Sequence, residues 1–421
     1  MRFLYSLAWC LALPLVLARL WWRGRKEPGY RQHMAERFGF YKNRGTARQM
    51  IWVHAVSVGE TRAAEPLVDA LLHAYPEHAI LLTHMTPTGR ATGQALFAKR
   101  AARVIQCYLP YDTGWMVRSF LRHFAPRACI LMETEVWPNV MAQCVRHRVP
   151  VALVNARLSE RSLAKAQRLS ALMSEAARGF ACVAAQTDAD ARRLRLFGAP
   201  NVHVTGSVKF DVAPDESMLA KGAMLRSQIG ARPVLLCAST REGEEALLLD
   251  ALSTLDLADA LIVIVPRHPQ RFDEVARLVE ARGLAMCRKS ALHDISVPAE
   301  ARILLGDSMG EMFAYYAACD VAFIGGSLLP LGGQNLIEAC AVGKPVLIGP
   351  HTFNFSTVSE DAIAADAALR VTDAVAMLSQ ATRLLHSDHE RLVMGVNAEA
   401  FARQHRGATA RTMALLKPLI G

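Results

Sequence analysis

Residues Met50–Thr83 read MIWVHAVSVGETRAAEPLVDALLHAYPEHAILLT. The stretch opens on four apolar residues and breaks at HAVSVGE. It then runs from Thr61 to Ala74 with apolar residues three and four apart, and closes on a second apolar run, AILLT. A short apolar run, a glycine-containing loop, an amphipathic helix and another apolar run make a strand–helix–strand unit. Strands without a polar face are buried on both sides, and two parallel strands need a helical crossover between them. The stretch therefore predicts a parallel sheet covered by helices.

The pattern repeats outward. RVIQCYL (Arg103–Leu109), ACILM (Ala128–Met132), VALVN (Val151–Asn155) and CVAAQ (Cys182–Gln186) read as strands, with helices expected over Thr113–Phe124 and Leu163–Ala177. Periodicity stops at GSVKFDVAPDES, Gly206–Ser217, a stretch of turn formers. It resumes with PVLLCAS (Pro233–Ser239), LIVIVP (Leu261–Pro266), ILLG (Ile303–Gly306), VAFIGG (Val321–Gly326) and PVLIG (Pro345–Gly349), and from about Asp373 the tail reads as helix throughout. The expected class is α/β, with two doubly wound Rossmann-like domains over 27–212 and 213–421 facing a cleft formed by the carboxyl ends of both sheets.

A chain of 421 residues exceeds one ordinary core, in keeping with two domains. With 52% hydrophobic and 20% charged residues, spread without tracts, it is neither disordered, fibrous nor a polytopic membrane protein. The net charge of +10 favours an anionic partner. Basic residues interleaved with aromatics are missing from the body of the chain, which argues against nucleic acid. The basic excess gathers instead at Arg19, Arg23, Arg25, Lys26, Arg31 and Arg37. Nine scattered cysteines without a CxxC pair indicate neither a disulfide framework nor a zinc site; most read as small core residues of a reducing compartment.

Ahead of that basic group, Phe3–Ala18 (FLYSLAWCLALPLVLA) carries no charge. Its sixteen residues fall short of the ~20 that span a bilayer squarely, but Arg2 and Arg19 can snorkel and Trp21 and Trp22 suit the interface. Residues 1–26 are expected to be an uncleaved membrane anchor with a basic flank. A buried or monotopic helix and a cleaved signal peptide are the alternatives. The positive-inside rule then places everything after the anchor on the cytoplasmic side.

The loops at the strand ends carry the chemistry. In HAVSVGE (His54–Glu60), Glu60 at a helix start either favours the helix dipole or serves as a general base at a cleft mouth. THMTPTG (Thr83–Gly89) suits a phosphate or sugar, or simply supplies an N-cap at Thr88. METEVWPN (Met132–Asn139) sets Glu133 and Glu135 two residues apart, a catalytic pair or a solvated helix start. Lys209 in GSVKFD reads on its own as a surface lysine. CASTREGEE (Cys237–Glu245) places Ser239 and Thr240 before a helix with acids in its first turn. PRHPQR surrounds His268 with arginines, and DSMGEM is a short turn into a helix. GGSLLPLGGQNLIEACAVGKPVLIGP (Gly325–Pro350) offers backbone amides near Asn335 for a phosphate and Glu338 for ribose hydroxyls. Its glycines match neither G-x-G-x-x-G nor a P-loop.

Together with RQHMAERFGFY (Arg31–Tyr41) and VNARLSERS (Val154–Ser162), these motifs, in their order and spacing, resemble the Kdo transferases of lipopolysaccharide assembly. Those enzymes attach 3-deoxy-D-manno-octulosonic acid (Kdo) to a lipid A precursor. The resemblance covers essentially the whole chain. It implies a GT-B glycosyltransferase using CMP-Kdo as donor, with no cofactor and no metal. The acceptor would be a lipid A precursor (lipid IVA) at the cytoplasmic face of the bacterial inner membrane. It implies Glu60 as catalytic base, with Glu133 and Lys209 assisting the transition state, which reverses the plain reading of Lys209. It further implies CMP contacts at Arg267 and His268, at Met309, Gly310 and Glu311, and at Asn335, Leu336, Ile337 and Glu338. Competing readings are another GT-B nucleotide-sugar enzyme, such as a UDP-sugar transferase or epimerase, and a non-catalytic membrane-tethered nucleotide-sugar-binding protein.

Overall fold

The structure, a computed structural model, describes residues 2–25, 27–42, 48–168, 170–253, 255, 257, 259–293 and 295–421. Lys26 of the basic flank and most of the stretch between Lys42 and Arg48 lie outside the described residues. The chain forms two compact units, Met1–Asp211 with Gly407–Gly421, and Val212–Arg406.

In the first unit the strands are β1 (Gln49–His54), β2 (His78–His84), β3 (Val104–Tyr108), β4 (Ala128–Met132), β5 (Val151–Ala156), β6 (Cys182–Ala185) and β7 (Val202–Val204). They form one sheet in the order β3-β2-β1-β4-β5-β6-β7, parallel throughout. Alternate residues face opposite sides. Met50 and Trp52 of β1 join Cys129, Leu131, Phe120 and Phe124 on one face, while Ile51 and Val53 join Ile130, Met132, Leu67 and Leu71 on the other. All these side chains are buried, which is why the strand sequences show no polar alternation.

The second unit repeats the plan with β8 (Val234–Thr240), β9 (Leu261–Pro266), β10 (Met286–Arg288), β11 (Ile303–Leu305), β12 (Val321–Ile324), β13 (Val346–Ile348) and β14 (Ala368–Arg370). Its parallel sheet has the order β10-β11-β9-β8-β12-β13-β14. Every apolar run read as a strand is one. The edge strands β7, β10 and β14 are additions, each three residues long and too short to show a pattern.

The pattern over Leu163–Ala177 is helical across Glu160–Arg168 and Ser170–Arg178, with Leu169 outside the described residues. Two expectations are corrected. The helix after β2 begins at Pro87, with Thr86 rather than Thr88 as its cap: Thr86 Oγ1 accepts from Gly89 N at 3.1 Å. Proline at the first helical position has its φ preset and no orphan N–H to satisfy. The tail is helical over Ala374–His386, Asp388–His405 and Ala408–Ile420, but it does not all belong to the second domain as the range 213–421 supposed.

The last helix packs on the first sheet, where Leu416 and Ile420 are buried in the same cluster as Ile51, Val53 and Ile80. Asp211 caps it, accepting from Gly407 N and Thr409 N, both at 2.7 Å. Arg411 Nε donates to Thr205 O at 2.9 Å, and Arg127 Nε to Ile420 O at 3.1 Å.

The N-terminal helix covers Arg2–Arg23, longer than the uncharged run because Arg2 and the Arg19–Arg23 stretch extend it. It is long and apolar enough to cross a membrane by length and composition, and none of its residues is buried.

The assignment of the last helix has a measurable consequence. Leu416→Ala should destabilise the first unit by roughly 2–4 kcal/mol, the usual cost of truncating a fully buried leucine. Hydrogen exchange should speed up in β1 and β4 while protection in β8 and β12 holds; the reverse pattern would return the helix to the second unit.

Candidate active site

The sheet order of the first unit reverses between β1 and β4, which run side by side although the chain has first built outward through β2 and β3. Loops leaving a sheet at such a switch point diverge and leave a crevice at the carboxyl ends of the strands. The loop after β1 carries Glu60 and the loop after β4 carries Glu133 and Glu135.

Glu60 lies on the first turn of the helix Val58–Ala74, capped by Ser57. Its Oε2 accepts from Val56 N at 2.8 Å and its Oε1 from Ser57 Oγ at 3.0 Å. Ser57 and Glu60 thus form a capping-box pair that fixes the carboxylate's direction. Burial raises the Glu60 pKa above the usual glutamate value; the Val56 amide opposes, the Glu133 carboxylate adds to it, and Ser57 and Lys209 lower it. Helix cap and charged cluster coincide in one residue.

Glu133 is buried at φ +60°, a left-handed backbone that a non-glycine residue holds only when its surroundings over-determine it. Its Oε1 lies 2.5 Å from Lys209 Nζ and its Oε2 3.2 Å from Arg157 Nη2. Lys209 is only 32% exposed at its side chain, so it is a paired cation and not a solvated one. Buried Asn155 sets its loop: Oδ1 accepts from Ser207 Oγ at 3.1 Å and from Val208 N at 3.2 Å. Asn155 and Arg157 both come from VNARLSERS, a motif to which the residue-by-residue reading assigns no role.

Glu135 is pushed up to about 7, first by burial and then by the Glu60 carboxylate. Three carboxylates and two cations thus meet at the β1/β4 crevice, and two of the acids, Glu60 and Glu135, have a raised proton affinity. Such a set can take a proton from a hydroxyl near pH 7 and can present a cation to a departing anion. His54, by contrast, is a core residue: buried, 2.8 Å from Thr83 Oγ1 through Nδ1, and held neutral by a pKa lowered to about 3.

In the second unit the switch point falls between β8 and β12. Glu244, read from the sequence as a helix-start acid, is fully buried there. Its carboxylate accepts from Gly326 N (2.6 Å), Ser327 N, Leu328 N and Arg241 N (each 2.9 Å). Gly325 is required at this point, since a Cβ would come within 2.6 Å of Thr240 Cα and 2.7 Å of Ser239 O. Neighbouring Glu245 accepts from Thr240 Oγ1 and Arg271 Nη1, both at 2.7 Å.

The expected nucleotide contacts divide into two sets. Asn335 Oδ1 accepts from Ile337 N at 3.1 Å, and its Nδ2 reaches Glu338 Oε1 at 3.5 Å. Burial raises the Glu338 pKa, opposed by Asn335 and by the charge of Arg267. His268, beside Arg241, Arg267 and Arg271, is lowered by partial burial and then by their charges. The helix after Asn335 begins only at Ile337 and ends at Ala341, later and shorter than the sequence implied. Leu336 and Ile337 are buried, so they are available only through their backbones. Glu311 stands with Lys221 at 2.7 Å on a pocket of about 180 Å³ also lined by Lys289, His293 and Tyr315. Met309 and Gly310 precede it in an open turn, Gly310 at φ +79°.

The family model described as 3-deoxy-D-manno-octulosonic-acid transferase (kdotransferase) matches residues 32–212. A 3-deoxy-D-manno-octulosonic acid transferase of Bordetella pertussis is 48% identical over the whole of both chains. The chain belongs to the 3-deoxy-D-manno-octulosonic acid transferase family. The family's enzyme from Haemophilus influenzae is 35% identical, covering 100% of this chain and 99% of the relative. The protein is therefore a glycosyltransferase that transfers Kdo. Its fold is of the GT-B type. Anabaena HepE in complex with UDP has a TM-score of 0.58 at 15% identity, over 88% of this chain and 99% of that one. The UDP-GlcNAc 2-epimerase of Neisseria meningitidis has a TM-score of 0.55 at 16% identity, over 88% and 100%. At such identities the likeness is one of fold alone.

The raised proton affinity of Glu135 has a definite sign in stability. The folded value of about 7 lies above the ~4.3 of an unfolded glutamate, so the folded state binds more protons between the two. Stability from this group is present at low pH and is lost as pH rises through 7. Glu135→Gln should therefore stabilise the first unit at pH 8, by on the order of 1–3 kcal/mol, and by clearly less at pH 5, where only the first part of the loss has occurred. Urea denaturation at the two pH values reads it; an equal shift at both would mean that Glu135 is not charged against its surroundings.

Proposed function

We propose that this transferase moves Kdo from CMP-Kdo to a hydroxyl of a lipid A precursor, lipid IVA, by a metal-independent inverting displacement with Glu60 as general base. The observation that carries the reading is the β1/β4 cluster: a carboxylate of raised pKa, Glu60, within the field of the Lys209–Glu133 pair.

In this reading Glu60 takes the proton of the acceptor's primary hydroxyl. The oxygen forms a bond to the anomeric carbon of Kdo on the face opposite the phosphate. The bond from that carbon to the CMP phosphate oxygen breaks, and its electron pair leaves with CMP. A base whose pKa is raised toward the working pH accepts the proton more readily than an exposed glutamate would. Lys209 offsets the charge developing on the leaving group, and Glu133, anchored by Arg157, keeps the ammonium in place. CMP carries one phosphate, so a single positioned cation has less to neutralise than with a UDP-sugar. The donor is assigned to the second unit. Its CMP contacts are assigned to Arg267 and His268, to Met309, Gly310 and Glu311, and to Asn335, Leu336, Ile337 and Glu338, with the backbone amides near Asn335 for the phosphate and Glu338 for the ribose hydroxyls. Glu338 supports this role because its carboxylate is half-buried beside an amide donor, Asn335, and retains acceptor capacity for sugar hydroxyls. The N-terminal helix and the arginines after it are assigned to the cytoplasmic face of the inner membrane, where an acylated acceptor resides.

Purified protein incubated with CMP-Kdo and lipid IVA, read by mass spectrometry, tests the reading as a whole. Glu60→Gln should lower kcat by ~10²–10⁴-fold, the range for loss of a general base, while calorimetric CMP binding stays near that of the native chain. Turnover within a fewfold of native would move the base elsewhere, with Glu133 the next candidate.

Glu338→Ala should raise the KM for CMP-Kdo by roughly tenfold or more, since lost hydrogen bonds to a ligand cost about 1.5 kcal/mol or more when one partner is charged. The acceptor KM should hold. A change confined to the acceptor KM would remove Glu338 from the donor site.

A further inference from the structure

The N-terminal helix is tied to the body of the first unit at its start and to the segment that follows it at its end. At its start Arg2 Nε lies 3.3 Å from Glu175 Oε1, and Ser6 Oγ exchanges hydrogen bonds with the Asn139 side chain at 3.0 and 3.3 Å. Trp9 stacks on Tyr111 at 5.7 Å between ring centroids. At its end Arg31 donates twice to Trp21 O, at 2.8 and 3.2 Å, with its guanidinium 4.1 Å over the Trp21 ring, and Arg23 lies 4.3 Å over Tyr30.

The half-buried positions Tyr5, Trp9, Ala12, Val16 and Leu20 recur three and four apart, so one face is docked. The opposite face is apolar and open: Phe3 is 79% exposed, Leu11 71% and Leu15 74%, with Leu4 and Leu7 beside them. The body itself exposes a further aromatic pair, Phe40 and Trp115, 6.2 Å apart. Exposed Trp22, Arg19, Arg23 and Arg25 flank the ridge.

We infer that this helix lies flat in the lipid–water interface, docked on the first unit, and that the partner of its open face is an anionic bilayer surface. Ser6 and Trp21 are about 22 Å apart along a helix rising 1.5 Å per residue. Were the docked helix to stand across a bilayer, the protein beside Ser6 would be carried deep into hydrocarbon about 30 Å thick. Asn139 there is hydrogen-bonded through its N–H and Nδ2 to Asp112, and Glu175 is close by; charged groups at that depth are strongly disfavoured. Lying flat, the helix buries Phe3, Leu7, Leu11 and Leu15 among acyl chains, places the tryptophans at headgroup level and meets acidic headgroups with its arginines. The inference rests on the membrane assignment proposed above.

The test locks the far end of the helix to the body. In a Cys10→Ala background, Arg2→Cys and Glu175→Cys are joined by a short bismaleimide, and the full chain is floated with phosphatidylethanolamine/phosphatidylglycerol vesicles. The locked protein should float within twofold of the unlocked one. Leu7→Glu, Leu11→Glu and Leu15→Glu together should lower partitioning more than about tenfold, with the helical circular dichroism unchanged. If locking strands the protein in solution while the unlocked form floats, the helix must leave the body to insert, and the inference fails. It fails also if neither form floats, or if the triple variant floats undiminished. Should that variant instead turn a dimer into a monomer, the occupant of the face is a second copy of the chain and the inference is overturned. Kdo transfer to detergent-dispersed lipid IVA, measured in parallel, separates these failures from a failure of the enzymatic reading.

Discussion

The contact on which the first unit's site depends is the ion pair between Lys209 and Glu133, 2.5 Å apart and far separated in sequence. Parallel strands force every β-to-α loop to the same edge of the sheet, so the polar loops after β1 and β4 converge whether or not their charges agree. Three acids arrive there. Without cations, their repulsion and desolvation would protonate them or push the loops apart. Lys209 and Arg157 supply the counter-charge, and the left-handed backbone at Glu133 is the local strain accepted to point its carboxylate at both. The remaining acids, Glu60 and Glu135, have pKa values raised first by burial, with a neighbouring carboxylate adding to the rise in each case.

The second unit meets the same topological problem with the opposite solution. At the β8/β12 switch point the backbone amides of Gly326, Ser327 and Leu328 converge, the kind of nest that elsewhere receives a phosphate. Glu244 fills it with the chain's own carboxylate, whose pKa burial raises against the opposing pull of four N–H donors. Those amides are thus engaged within the fold.

How much of this was legible in the sequence follows from the range of each interaction. Central strands were readable because burial on both faces erases polar residues, as in β4, β6, β9 and β12. The edge strands β7, β10 and β14 were not, being three residues long. Glu60 could be placed at a helix start from its position after the first apolar run and its loop, but its neighbours could not, because Glu133 and Lys209 reach it only through the folded sheet. Lys209 read by itself is a surface lysine; only the motif order, through family resemblance, marked it, and the structure supplies the pair. Glu244 and Asn155 were illegible as supports since each binds backbone brought near by folding. The last helix was misassigned because its amphipathic pattern says that it packs, and not on which sheet.

The sixteen-residue apolar run shows the same limit in another form. Its length sits between a span and an interfacial helix, and composition cannot choose. What chooses is what lies beside it. Asn139, which holds Ser6, closes the very loop that carries Glu133 and Glu135, and its neighbour Val140 N donates at 2.8 Å to the Asp112 carboxylate that also accepts from Asn139 N. The docked helix and the carboxylate cluster therefore share one short, hydrogen-bonded segment of chain. A helix that withdrew to cross the bilayer would take Ser6 from Asn139 and leave that residue to its bonds with Asp112 alone. A helix lying flat keeps both sets of bonds, and holds the acids of the β1/β4 crevice at a fixed distance from the surface on which it rests.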